Sequence, residues 1–275
     1  MNAVAKDIAD VRDGHPERFV PELMSGRFID AEHRARYWWA TALVTGKTVL
    51  DAACGTGYGT NILASAGAAA VVGIDRATHV IEFARAHAHE RATFEVADLL
   101  DLPFPDGAFD VAICFEAIEH VDPPERALDE LRRVLEPEGV LALSSPNRGV
   151  SLGGNPHHHH EFTPDEFASA LRARFEHVRL ARQHRWVATA ILDDGAFESG
   201  DGRPLEGSVV HKVARAAAGH ETYTLALASN APVAVPANRV ALTESRDRDV
   251  LGWYYARIRS RLHALAHQYK PRRLH

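Results

Sequence analysis

The chain has 275 residues, 46% of them hydrophobic and 25% charged, which excludes a disordered, collagen-like or coiled-coil protein. Its formal net charge of −6 argues against a protein that grips long nucleic acids, so nucleic acid is not expected as a partner. No run of about 18 apolar residues occurs, and the sequence therefore predicts no membrane-spanning helix.

Cysteine usage and the N-terminus both favour a cytoplasmic protein. Cys54 and Cys114 are the two cysteines, too few for a disulfide framework. The first ten residues, MNAVAKDIAD, lack the basic and then apolar pattern of a secretory signal. Nothing in the sequence indicates the oligomeric state.

Short apolar runs alternate with stretches of helical periodicity along the chain. The apolar runs predict seven strands, at 48–52, 70–75, 93–97, 109–115, 138–144, 178–181 and 223–228. The helical pattern predicts helices at 31–44, 61–66, 79–90, 124–135 and 163–173, the last capped by Thr163. Strands that alternate with helices predict an α/β fold, a Rossmann-like, doubly wound, seven-stranded and mainly parallel sheet with helices on both faces.

A glycine-rich turn follows the first strand, in the sequence Asp51-Ala-Ala-Cys54-Gly55-Thr-Gly57-Tyr-Gly59. Glycines at such a turn let the backbone approach a ligand closely, although the spacing differs from the G-x-G-x-x-G of dinucleotide sites. Asp75 ends the second strand, where a carboxylate can bind both hydroxyls of a ribose. Asp98 follows the third strand and could accept a hydrogen bond from an adenine amine, with Leu99 packing nearby. Each aspartate alone could equally cap a turn. Together they predict a ligand site at one sheet edge.

Four segments resemble, in order and spacing, the successive motifs of class I S-adenosylmethionine-dependent methyltransferases: VLDAACGTGYG, VVGIDRA, FEVADLLDLPFPDGAFDVAICFEAIEHV and LRRVLEPEGVLALSSPN. The resemblance covers residues 47–147 and implies the cofactor S-adenosylmethionine. It implies that Asp51, Gly55 and Gly57 line the methionine end, that Asp75 holds the ribose, and that Asp98 and Leu99 hold the adenine. Phe115 would lie beside the cofactor, and Arg36 and Tyr37 would close over its carboxylate.

Composition and periodicity along the chain predict a division into three parts. Residues 1–45 would form a lead-in and a cap helix, and residues 46–230 the methyltransferase domain, with an insertion at about 182–220. Residues 231–275 would form a helix docked on that domain and a basic tail.

The segment Glu116-Ala-Ile-Glu119-His120 follows the fourth strand, beside the expected sulfonium. On a helix, offsets of 0, 3 and 4 would place the three polar side chains on one face, where carboxylates and imidazole can ligate a divalent cation. The segment resembles the E-x-x-E-H of ubiquinone-pathway O-methyltransferases and small-RNA 2′-O-methyltransferases, in which a later histidine completes a magnesium site. That resemblance implies Mg²⁺ held by Glu116, Glu119, His120 and His158.

An alternative is a metal-free helix start, at which glutamates favour the positive end of the dipole. In that case His158 or His120 is the expected catalytic base, since a neutral imidazole accepts a hydroxyl proton near pH 7.

Residues 155–228 resemble methyltransferase domains associated with bacterial glycosyltransferases, which favours a hydroxyl of a sugar, glycan or small metabolite as the methyl acceptor. An N- or C-methyltransferase without metal and an RNA 2′-O-methyltransferase are the alternative enzymes. Two alternatives are not methyltransferases: a non-catalytic cofactor-binding protein and a nicotinamide dehydrogenase.

Overall fold

The computed structural model describes residues 18–25, 27–150, 155–186, 188–200, 202, 204–205, 209–213 and 215–243. The first 17 residues of the predicted lead-in, and the C-terminal helix and basic tail predicted beyond residue 243, lie outside the described residues.

Strands and helices alternate within the described residues, as the sequence predicts. The strands are β1 (Thr48–Ala52), β2 (Ala70–Asp75), β3 (Ala92–Val96), β4 (Phe109–Cys114), β5 (Leu135–Pro146), β6 (His177–Gln183) and β7 (Tyr223–Ser229). The helices are α1 (Pro21–Met24), α2 (Phe28–Ala40), α3 (Tyr58–Ser65), α4 (Thr78–Ala86), α5 (Pro124–Arg133), α6 (Pro164–Arg172) and α7 (Asp194–Glu198). Short 3-10 turns occur at Thr41–Leu43 and Ile118–His120.

The seven strands form one sheet in the order β3-β2-β1-β4-β5-β7-β6. β1, β2, β3, β4 and β5 pair in parallel, whereas β7 runs antiparallel to both of its neighbours. The strand order reverses between β1 and β4. In an open α/β sheet, ligands bind outside the carboxyl ends of the strands at such a reversal.

Helices cover both faces of the sheet. Alternate residues of each strand point to opposite faces, so each strand contributes side chains to both layers of helices. On one face, Leu50 of β1 packs in a buried cluster with Leu128 of α5 and Phe167 of α6. On the other face, Val49 of β1 packs in a cluster with side chains of α2, α3 and α4. The predicted doubly wound fold is therefore confirmed.

The predicted start of helix α6 is also confirmed. The Thr163 side chain accepts from the backbone N–H of Glu166, whose carboxylate accepts from the Thr163 N–H in return. This reciprocal arrangement satisfies two backbone donors that a helix start leaves without partners. No helix in the described part of the chain is both long and apolar enough to cross a membrane.

Candidate functional site

The glycine turn joins β1 to α3 in a backbone conformation that larger residues avoid. Gly55 has φ +55° and Gly57 has φ +80°. A Cβ atom at Gly57 would lie 2.6 Å from the Phe94 ring, so a side chain does not fit there. Gly57 is therefore required by the packing of Phe94, whereas a Cβ atom at Gly55 would meet nothing within 4 Å, so the backbone at Gly55 is uncovered.

Asp51 at the end of β1 is fully buried and holds two hydroxyl groups. It accepts from Tyr37 Oη at 3.0 Å and from Thr60 Oγ1 at 2.6 Å. Burial raises the pKa of the Asp51 carboxyl from its ordinary 3.8 to about 7, against the opposing effect of these hydrogen bonds. Asp51 thus ties helices α2 and α3 to the sheet edge.

The Tyr37 ring closes the turn from the other side. A Cβ atom at Gly59 would lie 2.0 Å from Tyr37 Cζ, so the ring packs directly on the first turn of α3. The same ring meets Phe115 edge-on, with centroids 5.4 Å apart. Phe115 is buried directly after β4. These contacts connect the end of β4 with the glycine turn.

Asp75 and Asp98 lie near the ends of β2 and β3. Asp75 accepts from the Gly55 N–H at 3.2 Å and from the Ala77 N–H at 2.9 Å. Arg18 approaches the same carboxylate to 3.8 Å. Asp98 is exposed and accepts from the Leu100 N–H at 2.9 Å. Leu99, the residue after Asp98, is buried. The predicted cofactor residues thus lie along three neighbouring strand ends.

The segment after β4 differs from the predicted helix. Glu116 has φ +53°, a left-handed conformation that L residues rarely adopt, and only Ile118–His120 form a helical turn. The Glu116 side chain accepts from Ser144 Oγ at 2.7 Å and lies 4.0 Å from Arg36 Nη1. Its orientation is therefore set by β5 and α2.

Glu119, His120 and His158 come together after β4. One potential ligand atom from each lies within 4.8 Å of the other two, and Glu116 is not part of this group. The backbone N–H groups of His159 and His160 donate to the Glu119 carbonyl at 2.8 and 3.2 Å. These bonds hold the histidine segment, residues 157–160, against the turn at Ile118–His120. They bring His158 next to residues that lie nearly forty positions earlier in the sequence.

The hydrogen bonds of the two imidazoles fix their tautomers. His120 Nδ1 lies 2.9 Å from the His157 carbonyl oxygen, which only accepts, so Nδ1 carries the hydrogen. His158 Nδ1 lies 2.6 Å from Glu161 Oε1. Asn155 accepts from the His157 N–H through Oδ1 and so presents Nδ2 to His158 Nε2, at 2.8 Å. In the neutral form of each ring, these contacts place the lone pair on Nε2.

Glu119 is a buried carboxyl with an unmatched oxygen. Its side chain is 1% exposed, and Oε2 has no hydrogen-bond partner. Burial, and next the nearby Glu116, raise the pKa of Glu119 well above its ordinary range. A buried carboxyl oxygen without a partner is costly, and either protonation of the carboxyl or a bound cation would reduce that cost.

A buried polar network on α2 was not predicted. Arg36 donates through Nη1 to Gln183 Oε1 at 2.7 Å, while Nε and Nη2 have no hydrogen-bond partner. Tyr223 lies under its guanidinium at 4.8 Å. Glu32, also on α2, forms an ion pair at 2.5 Å with Arg185, which follows the end of β6. The network fastens the lead helix to β6 and β7, the strands that flank the predicted insertion.

Sequence reasoning also missed Thr60, Ser144, Asn155 and Glu161, which orient the predicted residues. Residues 155–162, which have the sequence N-P-x-H-x-x-E-F around His158, contain two of them, so this motif itself carried a signal. The predicted insertion at 182–220 begins within β6, which ends at Gln183, and contains α7 among its described residues. The three-part division of the chain stays a prediction.

Comparison with known proteins adds an independent line of evidence. A family model described as a methyltransferase domain matches residues 50–143, which include all seven predicted cofactor residues. A Mycobacterium tuberculosis protein named probable S-adenosylmethionine-dependent methyltransferase is 33% identical over 160 residues, 56% of this chain and 58% of that relative. A ubiquinone biosynthesis O-methyltransferase of Haemophilus ducreyi is 39% identical over 111 residues, 38% of this chain and 47% of that relative.

The matches thus span between about half and three fifths of these relatives' lengths. Among solved structures, one chain of the complex that contains the Haloferax volcanii Trm112 methyltransferase activator shares the fold. Its TM-score is 0.55 at 19% identity, over 82% of this chain and 97% of that one.

Proposed function

We propose that the chain, whose residues 50–143 match a methyltransferase domain, is a class I S-adenosylmethionine-dependent methyltransferase that methylates a hydroxyl oxygen of a sugar, glycan or small metabolite. The observation that carries the proposal is the pair of imidazoles, His120 and His158, that lie together beside Glu119. An alcohol needs a group that takes up its proton during methyl transfer, and a neutral imidazole suits that task near pH 7.

The glycine turn fits the cofactor, because a Cβ position at Gly55 faces open space with nothing within 4 Å, which leaves the backbone there accessible to a ligand. Asp75 would bind the ribose hydroxyls, and Asp98 the adenine amine, with Leu99 as an apolar wall. Asp51, Gly55 and Gly57 would line the methionine end, with Asp51 acting through Tyr37 and Thr60. These residues orient the cofactor, whose sulfonium carries the reactive methyl group.

The transfer itself is a single displacement. The acceptor oxygen forms a bond to the methyl carbon as the carbon–sulfur bond breaks, and sulfur keeps the electron pair as S-adenosylhomocysteine forms. The hydroxyl proton passes to His158 Nε2, which has a lone pair because Nδ1 faces Glu161, once the Nδ2 group of Asn155 gives way to the acceptor hydroxyl. His120, with its lone pair also on Nε2, is the second candidate for this proton. Alignment and proton removal are the protein's main tasks.

The predicted magnesium site does not fit the residues as they stand. Mg²⁺ prefers oxygen ligands in an octahedron, whereas two of the three gathered residues offer nitrogen. Glu116, which would supply a second carboxylate, is held by Ser144 beside Arg36. The proposed proton removal is therefore assigned to the imidazoles.

The test is methyl transfer from S-adenosylmethionine carrying a labelled methyl group to a panel of acceptors, with EDTA present. Sugars, glycosides and catechols represent the hydroxyl class, and amines and small RNAs represent the alternatives. We expect label on hydroxyl acceptors that survives mild acid and base, as an ether does. Label confined to amines, carbon acids or RNA would replace this proposal with one of the alternative enzymes.

A further inference from the structure

We infer that Glu119, His120 and His158 form a binding site for a first-row divalent transition ion such as Zn²⁺ or Co²⁺, with Glu116 outside its ligand set. The inference rests on the proposed function only for the role of the ion. It departs from the four-residue magnesium site that the sequence resemblance implies.

The donor set decides the class of ion. Two imidazoles and one carboxylate suit borderline first-row ions, whereas Mg²⁺ and Ca²⁺ prefer oxygen. One ligand atom from each residue lies within 4.8 Å of the other two, a separation that one shared ion can bridge after small side-chain movements. Three protein ligands leave positions open for an acceptor oxygen or water.

A second observation points to a ligand at the same place. Glu119 is 1% exposed, and its Oε2 has no hydrogen-bond partner. An unmatched carboxylate oxygen is costly in a protein interior, and a cation would compensate that cost.

The groups around the imidazoles hold them as metal-binding histidines are commonly held. His120 Nδ1 donates to the His157 carbonyl oxygen, and His158 Nδ1 contacts the Glu161 carboxylate at 2.6 Å. A histidine that ligates a metal typically gives its other nitrogen to a carbonyl or carboxylate, which orients the ring. Asn155 Nδ2 lies 2.8 Å from His158 Nε2, and this contact would have to give way to an ion at that nitrogen.

Glu116 is excluded by its own contacts. Ser144 Oγ donates to its Oε1, and its backbone N–H donates to Ser144 Oγ in return. Arg36, which is buried, lies 4.0 Å from the same oxygen. A carboxylate held next to a buried guanidinium is poorly placed to bind a cation.

The ion and the base use the same lone pair. An ion held by these residues would take His158 Nε2 as a ligand and would supply Lewis acidity that lowers the pKa of the acceptor hydroxyl. With the ion removed, the same Nε2 would take the hydroxyl proton after Asn155 Nδ2 gives way to the acceptor. Methyl transfer measured with and without a chelator therefore distinguishes the protein that holds the ion from the protein that does not.

Calorimetric titration of chelator-stripped full-length protein with Zn²⁺, Co²⁺ and Mg²⁺ tests the inference. We expect one site per chain for Zn²⁺ and Co²⁺, and weaker binding of Mg²⁺ by at least about 100-fold. Glu119→Gln should weaken Zn²⁺ binding by about 100-fold, and Glu161→Gln by about 10–100-fold. Ligand-field absorption of Co²⁺ reports coordination without requiring activity.

Two matched controls make the result decisive. Glu116→Gln should leave Zn²⁺ binding unchanged, as should the double change His157→Ala and His159→Ala, which removes two exposed imidazoles of the same segment. A loss with Glu116→Gln equal to that with Glu119→Gln, or preferred binding of Mg²⁺, would overturn the inference in favour of the four-residue site. A loss confined to the double variant would overturn it in favour of surface chelation.

S-adenosylhomocysteine is titrated into the same samples to separate the two proposals. Its affinity should be the same in wild type and Glu119→Gln. Zn²⁺ binding by a protein that fails to bind S-adenosylhomocysteine would contradict the proposed function and leave the ion site intact. The opposite result would contradict the ion site alone.

Discussion

Replacing His158 by alanine is expected to slow methyl transfer by about 10²–10⁴-fold in EDTA, the usual contribution of a positioned general base. The variant removes the nitrogen that Glu161 and Asn155 orient. S-adenosylhomocysteine affinity should be unchanged, because the hydrogen-bond partners that orient His158, Asn155 and Glu161, are not predicted cofactor residues. Rates with a hydroxyl acceptor and calorimetric affinities, measured on the same preparation, check both parts.

His159→Ala is the matched control. Its side chain is exposed, and its bond to the Glu119 carbonyl uses the backbone N–H, which alanine retains. This variant should keep wild-type rates. Equal rates for His158→Ala and His159→Ala would remove His158 from the chemistry and leave His120 as the base.

The titration of Asp51 is expected to contribute measurably to the pH dependence of the free energy of unfolding. Its folded pKa of about 7 lies above its ordinary 3.8, so the folded protein binds this proton more tightly than the unfolded chain does. The contribution therefore favours folding at low pH and is lost as pH rises from about 4 to 7. Relative to Asp51→Asn, the wild type should lose about 2–3 kcal/mol of unfolding free energy between pH 5 and pH 8.

Urea unfolding of both proteins at the two pH values measures this difference, since other titrating groups affect both equally. Asp110→Asn provides the control, because hydrogen bonds from Thr48 and Lys47 lower the pKa of Asp110 despite its partial burial. That contribution is lost only near or below the ordinary pKa of aspartate, so Asp110→Asn should show no difference between pH 5 and pH 8. A flat profile for Asp51 would mean that its carboxyl is ionised throughout the range.

Local patterns predicted the parts of the fold that local forces determine. The apolar runs at 48–52 and 70–75 match β1 and β2 residue for residue, and Thr163 caps α6 as expected. Each signal lies within a few consecutive residues, because strand alternation and helix caps are short-range effects. The aspartates at neighbouring strand ends were predictable for the same reason, given a parallel sheet.

Features that depend on distant contacts escaped prediction. The helix expected at 116–120 is interrupted because Glu116 turns toward Ser144, a residue of a different strand. Arg36 bonds to Gln183, 147 positions away, and no sequence period connects the two. Glu161 was visible in the motif, yet its role depends on the fold of the histidine segment over the turn at Ile118–His120.

Binding of S-adenosylhomocysteine to wild type and to Asp75→Asn is the most direct test that this chain is an S-adenosylmethionine-dependent enzyme. Calorimetry should show one site in the wild type and about 10–100-fold weaker binding in the variant, because a hydrogen bond to a charged group contributes about 1.5–3 kcal/mol. NAD should give no heat with either protein. Absence of S-adenosylhomocysteine binding to the wild type, or binding of NAD in its place, would contradict the assignment of the cofactor and with it the proposed reaction.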